Sequence, residues 1–303
     1  MRILYTTVAL TAFAFNSILC RLALRGDEAD AAGFTAVRLM SGAITLLVIS
    51  FISTAYGSGR GISNQLDESP TRYRRWYRLE AFAGSWHSAF FLFAYAICFS
   101  FAYLGLTTAT GALILFGCVQ MTMIAVSIAK GERPTMFEWL GLAVAFAGLV
   151  YLVFPGLSSP PPLNAGLMAA AGIAWGFYTL RGKGSSDPLG DTTGNFLRSV
   201  PMIIIAAIPF LAQSHLSARG ILLAVLSGAI ASGIGYSVWY AVLRHHTPTR
   251  AAVLQLSVPV IAAAGGIVFL SETASLRLWI AGALILGGIL LTIFGRQLPS
   301  AAN

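Results

Sequence analysis

The chain has 303 residues, of which 57% are hydrophobic and 10% are charged. Soluble domains carry about 25% charged residues, so this composition excludes a water-soluble globular protein. The net charge of +8 comes from lysines and arginines in short segments between long apolar runs. That distribution indicates membrane topology and argues against a nucleic-acid partner. We therefore expect an all-α integral membrane protein.

Ten apolar runs are long enough for spanning helices, which need about 20 apolar residues each. They cover roughly residues 3–24, 33–55, 81–104, 107–129, 135–154, 163–183, 192–212, 218–242, 248–270 and 275–295. The connections are short except for the polar, basic loop 56–80. Thirteen lysines and arginines lie on one side of these predicted spans and four on the other. This asymmetry predicts that both termini and the long loop are cytoplasmic.

The two halves of the chain repeat each other weakly. A shift of 140 positions aligns the fourth and fifth spans with the ninth and tenth, and it pairs Glu132 with Glu272 in the connection between spans. A shift of about 160 positions aligns the start of each half. An odd number of spans in each repeat gives the repeats opposite orientations. We therefore expect two inverted five-helix repeats, residues 1–155 and 156–303, around a central cavity.

Short motifs recur in both repeats. The first helix of each repeat carries a small-aromatic-small pattern that ends in a base: Ala14-Phe15-Asn16 before Arg21, and Ala174-Trp175-Gly176 before Arg181. In the second half, Pro259, Glu272 and a glycine-rich last helix follow in order. In these motifs the sequence resembles the drug/metabolite transporter superfamily, in its ten-span EamA-domain branch. The resemblance covers essentially the whole chain, although Val119 stands where the first half would have the proline.

Within this superfamily the chain is most similar to the YddG-type exporters of aromatic and other amino acids. The similar stretches are Phe93-Ala94-Tyr95, Trp175 with Tyr178, and Tyr236 with Trp239. The resemblance implies a secondary transporter of a bacterial inner membrane that exports small metabolites by alternating access. Amino acids, aromatic ones included, are the expected solutes. It also implies a protein that functions as a monomer and is not an enzyme.

Aromatic side chains predict where the solute binds. In the third span they recur every fourth residue, at His87, Phe91, Tyr95, Phe99 and Tyr103. Such a stripe either lines a cavity with flat apolar faces or packs against other helices. Trp175 and Tyr178 lie one turn apart in the sixth span, and Trp239 lies nearer a membrane interface. We expect solute contacts from Tyr95, Phe99, Trp175, Tyr178 and Trp239.

Polar side chains inside spans are costly and face the bundle or a wet cavity. Gln255 lies one turn before Pro259, whose missing N–H kinks the helix and frees a carbonyl, so we expect Gln255 to face the solute. His87 is the only deep group that titrates near neutral pH, and it either binds solute, couples transport to protons or packs. Arg38 either attracts a carboxylate or extends towards the headgroups.

Two further solute classes stay open, namely other small metabolites and cationic drugs of the methyl viologen type. A carrier of cations would be expected to place an acid in the cavity, and the spans carry none at depth. A channel and a membrane-embedded enzyme are remoter alternatives. The sequence has no paired carboxylates, metal-binding spacing or ATP-binding motif, so we expect no metal and no cofactor. The basic run 72–78 predicts contact with anionic lipid headgroups.

Overall fold

The computed structural model describes residues 2–61, 83–131, 135–154, 156, 159–183, 185–243 and 254–295. These residues form α-helices joined by short connections. The α-helices are α1 (Arg2–Arg25), α2 (Ala31–Gly61), α3 (Trp86–Ala102), α4 (Thr108–Ala129), α5 (Met136–Val153), α6 (Pro162–Gly182), α7 (Pro188–Ala207), α8 (Ala218–Val225), α9 (Gly235–Leu243), α10 (Ser257–Leu270) and α11 (Leu276–Gly295). A 3-10 turn (Ile208–Gln213) follows α7, and a π-helical stretch (Leu226–Ile234) joins α8 to α9.

The helices are long and apolar enough to cross a membrane. Eight helical stretches among the described residues meet the length and hydropathy of a span. One of them, Ala218–Trp239, combines α8, the π-helical stretch and the start of α9. Two further apolar helices, α3 and α10, are shorter, with 17 and 14 residues. Large apolar side chains cover the outside of the bundle, and Met136, Val268 and Leu276 are 72–86% exposed. Lipid is the solvent in which such a surface is stable.

Some helix ends differ from the expectation. The third span was expected from residue 81, but α3 begins at Trp86, where the Ser85 hydroxyl accepts a hydrogen bond from the Ser88 N–H and caps the helix. The second span was expected to end at residue 55, but α2 continues to Gly61. The basic run 72–78 lies outside the described residues, so the predicted lipid contact stays a prediction.

Small residues let helices approach closely. On α5, a side chain at Gly141 would meet the Gly288 carbonyl and the Thr292 backbone of α11. On the π-helical stretch, a side chain at Gly228 would meet the Arg38 carbonyl of α2. Such contacts replace the hydrophobic effect, which contributes little between helices in lipid. They place the backbone of α2 directly against the stretch between α8 and α9.

The helices of the two halves interleave. The helix α2 packs against α7 and the π-helical stretch, α3 packs against α6 and α7, and α1 packs against α9 and α10. The helix α4 contacts α6 and α10, and α5 pairs with α11. The largest contacts therefore join a helix from the first half to a helix from the second. The middle of the bundle is an interface between the halves.

Candidate functional site

Aromatic rings from five helices meet in the middle of the bundle. Between ring centroids, Tyr95 of α3 lies 4.7 Å from Trp175 of α6, and Trp175 lies 5.2 Å from Tyr178 and 5.4 Å from Tyr236 of α9. Further ring contacts extend this group to α1 and α7. We call it the central ring cluster; its members are Phe13, Tyr95, Phe99, Trp175, Tyr178, Phe196, Tyr236 and Trp239.

The five aromatic residues expected to contact solute all belong to this cluster. Their rings pack on one another, and Tyr95, Tyr178 and Trp239 are only 5–6% exposed. Trp239 joins through Phe13, whose ring centroid lies 5.9 Å away. Phe13 and Phe196 have no polar atom and no special spacing, so the sequence offered no signal for them. The cluster gives the interface between the halves a wall of flat apolar faces.

A charged side chain lies against the central ring cluster. Arg38 of α2 is 2% exposed, and its Nη2 donates a hydrogen bond of 3.0 Å to the Tyr95 hydroxyl. The guanidinium carbon lies 5.0 Å from the centroid of the Phe99 ring and 5.4 Å from that of Tyr95, which is a cation–π arrangement. Its Nη1 is buried and has no hydrogen-bond partner among the described residues.

This position bears on the expectation that Arg38 extends towards the headgroups. The helix α2 begins at Ala31, so Arg38 lies two turns inside the helix and faces α3. The side chain is directed into the bundle, and the expectation that it extends to the headgroups is wrong. Within the described part of the chain, no carboxylate forms an ion pair with it. A buried arginine without an anionic partner is costly, and its free N–H is a ready donor.

His87 and Gln255 lie outside the ring contacts. His87 is the second residue of α3 and is exposed, so the expectation of a deep histidine is wrong; the helix simply begins later than the hydropathy suggested. Gln255 is half-buried and directly precedes a break in the helix at Leu256. Pro259 is buried in the first turn of α10 and has no N–H for the Gln255 carbonyl.

A second polar group in the core was not predicted as part of the site. The Asn16 side-chain oxygen of α1 accepts hydrogen bonds from the Ser227 hydroxyl at 2.8 Å and the Ser232 hydroxyl at 3.3 Å. Both serines lie in the π-helical stretch, whose wider turn brings them to the same side chain. All three residues are buried, so these bonds connect α1 to the second half without contact with water.

An ion-pair network closes one end of the bundle, where α1 and α10 end and α4 begins. Arg21 Nε lies 3.5 Å from Glu272 Oε1, and Arg21 Nη1 donates a hydrogen bond of 2.7 Å to the Tyr103 carbonyl. The other oxygen of Glu272 accepts the Thr108 N–H at 2.8 Å. Ser271, with a left-handed φ of 52°, turns the chain after α10 so that Glu272 points back into the bundle.

The opposite end, where α3 and α7 begin and α6 ends, contains a polar cavity of about 210 Å³. Its lining includes Ser85, Ser88, Tyr178, Arg181, Asp191 and Asn195. Tyr178 also belongs to the central ring cluster, so the cavity reaches the cluster through that ring. The bundle is thus tied together at one end and has a polar opening at the other.

The architecture defines a helical, multi-span membrane protein with a cationic and aromatic site between its halves. The described residues contain no group of histidines, cysteines or carboxylates arranged to hold a metal ion. Residues 164–294 match the profile of the EamA-like transporter family. An uncharacterized protein of Pseudomonas aeruginosa is 42% identical over 294 residues, which cover 97% of this chain and 95% of that protein.

Named transporters are more distant relatives. The uncharacterized inner membrane transporter YedA of Escherichia coli K12 is 25% identical over 62% of each chain. The threonine/homoserine exporter RhtA of Salmonella typhimurium is 30% identical over 50% of this chain and 52% of its own. A solved protein structure superposes on 98% of this chain and 99% of its own, with a TM-score of 0.61 at 19% identity, which supports the fold. The second half of the chain, residues 164–294, matches the EamA-like transporter family, and the named relatives are transporters and exporters.

Proposed function

We propose that this protein is a secondary transporter that exports amino acids, aromatic ones included, from the cytoplasm by alternating access. The observation that carries the proposal is the buried Arg38 guanidinium beside the central ring cluster, with Nη1 free of any partner among the described residues. A solute carboxylate supplies the missing acceptor and the missing negative charge. Hydrogen bonds between a guanidinium and a carboxylate are among the strongest that side chains make.

The rings around Arg38 suit the rest of an amino acid. Trp175, Tyr178 and Tyr236 offer flat faces for an apolar or aromatic side chain. The same faces attract an ammonium group through cation–π interaction. Because the rings pack together in this structure, solute binding requires them to separate. That movement is part of the proposed transport cycle.

The helix pairing supports the inverted repeats that alternating access uses. We propose ten spans, with α3 and α10 as the two short ones and α8 to α9 as a single span. Residues 1–155 and 156–303 form the repeats. In this arrangement α1 corresponds to α6, α3 to the span from α8 to α9, and α4 to α10. The contact of α3 with α6 then corresponds to the contact of α9 with α1, and the contact of α4 with α6 corresponds to that of α10 with α1. All four contacts are present, which is the pattern of a two-fold relation in the membrane plane.

The distribution of lysine and arginine supports an orientation with both termini in the cytoplasm. In that orientation the polar cavity faces the cytoplasm, and the Arg21–Glu272 network closes the outer side. YedA is named an inner membrane transporter, which agrees with a bacterial inner membrane for this chain. Both repeats lie in one chain, so we propose that a monomer suffices for transport.

The other solute classes are weighed by charge. A buried guanidinium repels a cation, so it disfavours drugs of the methyl viologen type. Other small metabolites that carry a carboxylate fit Arg38 as well as amino acids do. The name of RhtA, a threonine/homoserine exporter, favours amino acids among them. With His87 exposed at the start of α3, we do not assign it a coupling role.

Uptake into proteoliposomes of the purified protein tests the proposal. Labelled phenylalanine, threonine and methyl viologen are offered separately, with and without a pH gradient. We expect saturable uptake of the amino acids, inhibition by an excess of the unlabelled solute, and no uptake of methyl viologen. Uptake of methyl viologen alone contradicts the proposal, and currents without saturable counterflow indicate a channel.

A further inference from the structure

The polar cavity at the cytoplasmic end carries opposite charges on its walls. Arg181 lies in the last turn of α6, and Asp191 lies in the first turn of α7. Arg181 Nε donates a hydrogen bond of 3.1 Å to the Ser88 hydroxyl, and its Nη2 donates one of 3.4 Å to the Ser85 hydroxyl. In the sequence motifs, Arg181 is the base at the end of the first helix of the second repeat, and Asp191 belongs to none of them.

The acid is held from the other side of the cavity. One oxygen of Asp191 accepts the Gly84 N–H at 2.8 Å, and the other accepts the Ser185 hydroxyl at 2.5 Å. A carboxylate has about four acceptor positions, so these two bonds leave capacity for further donors. A guanidinium has five N–H groups, of which Arg181 uses two in these bonds. Both charged groups therefore keep hydrogen-bonding capacity.

The two charges do not neutralise each other. Arg181 and Asp191 line the same cavity, but they form no ion pair, and neutral hydroxyl and amide groups hold each of them in place. A cavity of about 210 Å³ is several times the volume of a water molecule, so it has room for a small solute. A molecule that carries both a carboxylate and an ammonium matches this pair of charges.

We infer that this cavity is a second solute site, a cytoplasmic loading site that binds zwitterionic α-amino acids. Arg181 binds the α-carboxylate and Asp191 binds the α-ammonium. The inference rests on the proposed function and adds a site that acts before Arg38. Tyr178 connects the two sites, because it lines the cavity and its ring lies 5.2 Å from that of Trp175.

This arrangement predicts selection by charge at the loading site. A solute without its ammonium leaves Asp191 unpaired, and a solute without its carboxylate leaves Arg181 unpaired. Each analogue therefore loses one pair of charge-assisted hydrogen bonds. The central ring cluster then selects the side chain, which is a separate property.

The test compares phenylalanine with two analogues, 3-phenylpropionate, which lacks the ammonium, and phenethylamine, which lacks the carboxylate. Each compound competes with labelled phenylalanine for uptake by the wild-type protein and by the variants Asp191→Asn and Arg181→Gln. Asparagine keeps an acceptor for the Gly84 N–H, so the variant removes the charge and retains the local hydrogen bond. We expect each variant to raise KM for phenylalanine about tenfold and to leave kcat within about twofold.

The analogues provide the readout that a purely structural role does not move. In Asp191→Asn, 3-phenylpropionate should compete nearly as well as phenylalanine, because the ammonium no longer contributes. In Arg181→Gln, phenethylamine should compete nearly as well as phenylalanine, because the carboxylate no longer contributes. Asp187→Asn and Lys183→Gln are matched controls, since these residues flank the cavity in sequence and are not part of its lining. The controls should keep the wild-type KM and the wild-type preference for the zwitterion.

The outcomes separate the two proposals. If the wild-type protein transports no amino acid, the proposed function fails, and absence of phenylalanine binding to the purified protein by equilibrium dialysis then overturns the loading site as well. If transport is normal but both variants keep the wild-type KM and the wild-type ranking of the analogues, the loading site is overturned and the proposed function stands. If KM rises without a change in that ranking, the charges act on structure and the inference is wrong.

Discussion

Replacing Arg38 with methionine should separate stability from transport. Methionine keeps an unbranched apolar stem against Phe99 and Tyr95 but removes the guanidinium. If Arg38 serves to bind a solute carboxylate, the variant should remain folded and lose transport. If Arg38 holds the bundle together, the variant should unfold more readily and transport in proportion to the folded fraction.

The contacts give the expected magnitudes. The variant loses one hydrogen bond to the Tyr95 hydroxyl, about 1 kcal/mol, and a cation–π contribution of about 1–2 kcal/mol. Against this, removing a buried charge that has no anionic partner avoids a desolvation cost of several kcal/mol. The free energy of unfolding without solute should therefore stay the same or rise. Loss of the bonds to a carboxylate, about 1.5–3 kcal/mol, weakens solute binding by about 10- to 150-fold.

Thermal unfolding of the purified variant, with and without phenylalanine, is the assay, together with uptake in proteoliposomes. We expect the midpoint of Arg38→Met to equal or exceed that of the wild type, with no added stabilisation by phenylalanine. Arg38→Lys keeps the charge without the planar pair of donors, so it should recover part of the affinity. A midpoint well below that of the wild type, with normal uptake per folded molecule, would refute the reasoning.

Three further predictions concern the other contacts. Trp175→Ala should raise KM for phenylalanine about two- to tenfold more than KM for threonine, because ring contacts contribute about 0.5–1.5 kcal/mol to an aromatic solute. Parallel uptake assays measure the difference. Glu272→Gln removes the charge opposite Arg21 and should loosen this end of the bundle, so the buried thiol of Cys20, which precedes Arg21 in the chain, should react about tenfold faster with maleimide. Site-resolved mass spectrometry measures the rate, and an unchanged rate contradicts closure by this pair. Gly141→Leu should abolish folded protein in membranes, whereas Gly287→Leu, where a side chain meets nothing within 4 Å, should leave its amount unchanged.

Much of this fold can be predicted from the sequence, because hydrocarbon allows few backbone arrangements. Twenty apolar residues in lipid satisfy their own backbone polar groups only as a helix, so hydropathy predicts the spans. Some aromatic residues of the site, Tyr95 among them, were predictable for a related reason. A tyrosine such as Tyr95 at midspan needs a polar neighbour for its hydroxyl, and the structure provides one in Arg38.

Other features are not visible in the composition and hydropathy of the sequence. The composition of the third span does not show that α3 begins at Trp86, because the start of the helix depends on the hydrogen bond that the Ser85 hydroxyl accepts from the Ser88 N–H, and so His87 was misplaced. The environment of Arg38 depends on whether its face of α2 is directed into the bundle or towards lipid. The sequence does not show this, because apolar residues flank Arg38 on both faces of the helix. Asp191 and Arg181 look like ordinary loop charges until α6 and α7 bring them to one cavity.

The sequence by itself determined that lipid is the solvent of the chain, that its fold is helical and which family it resembles, because composition, hydrophobic run length and short motifs are properties of neighbouring residues. The tertiary structure alone decided which polar groups are buried without partners and which charges share a cavity. These properties arise between residues as far apart as Arg38 and Tyr95, or Gly84 and Asp191. Packing between the two halves sets their distances, and the free energy of a charge in a membrane protein depends on those distances and on its exposure.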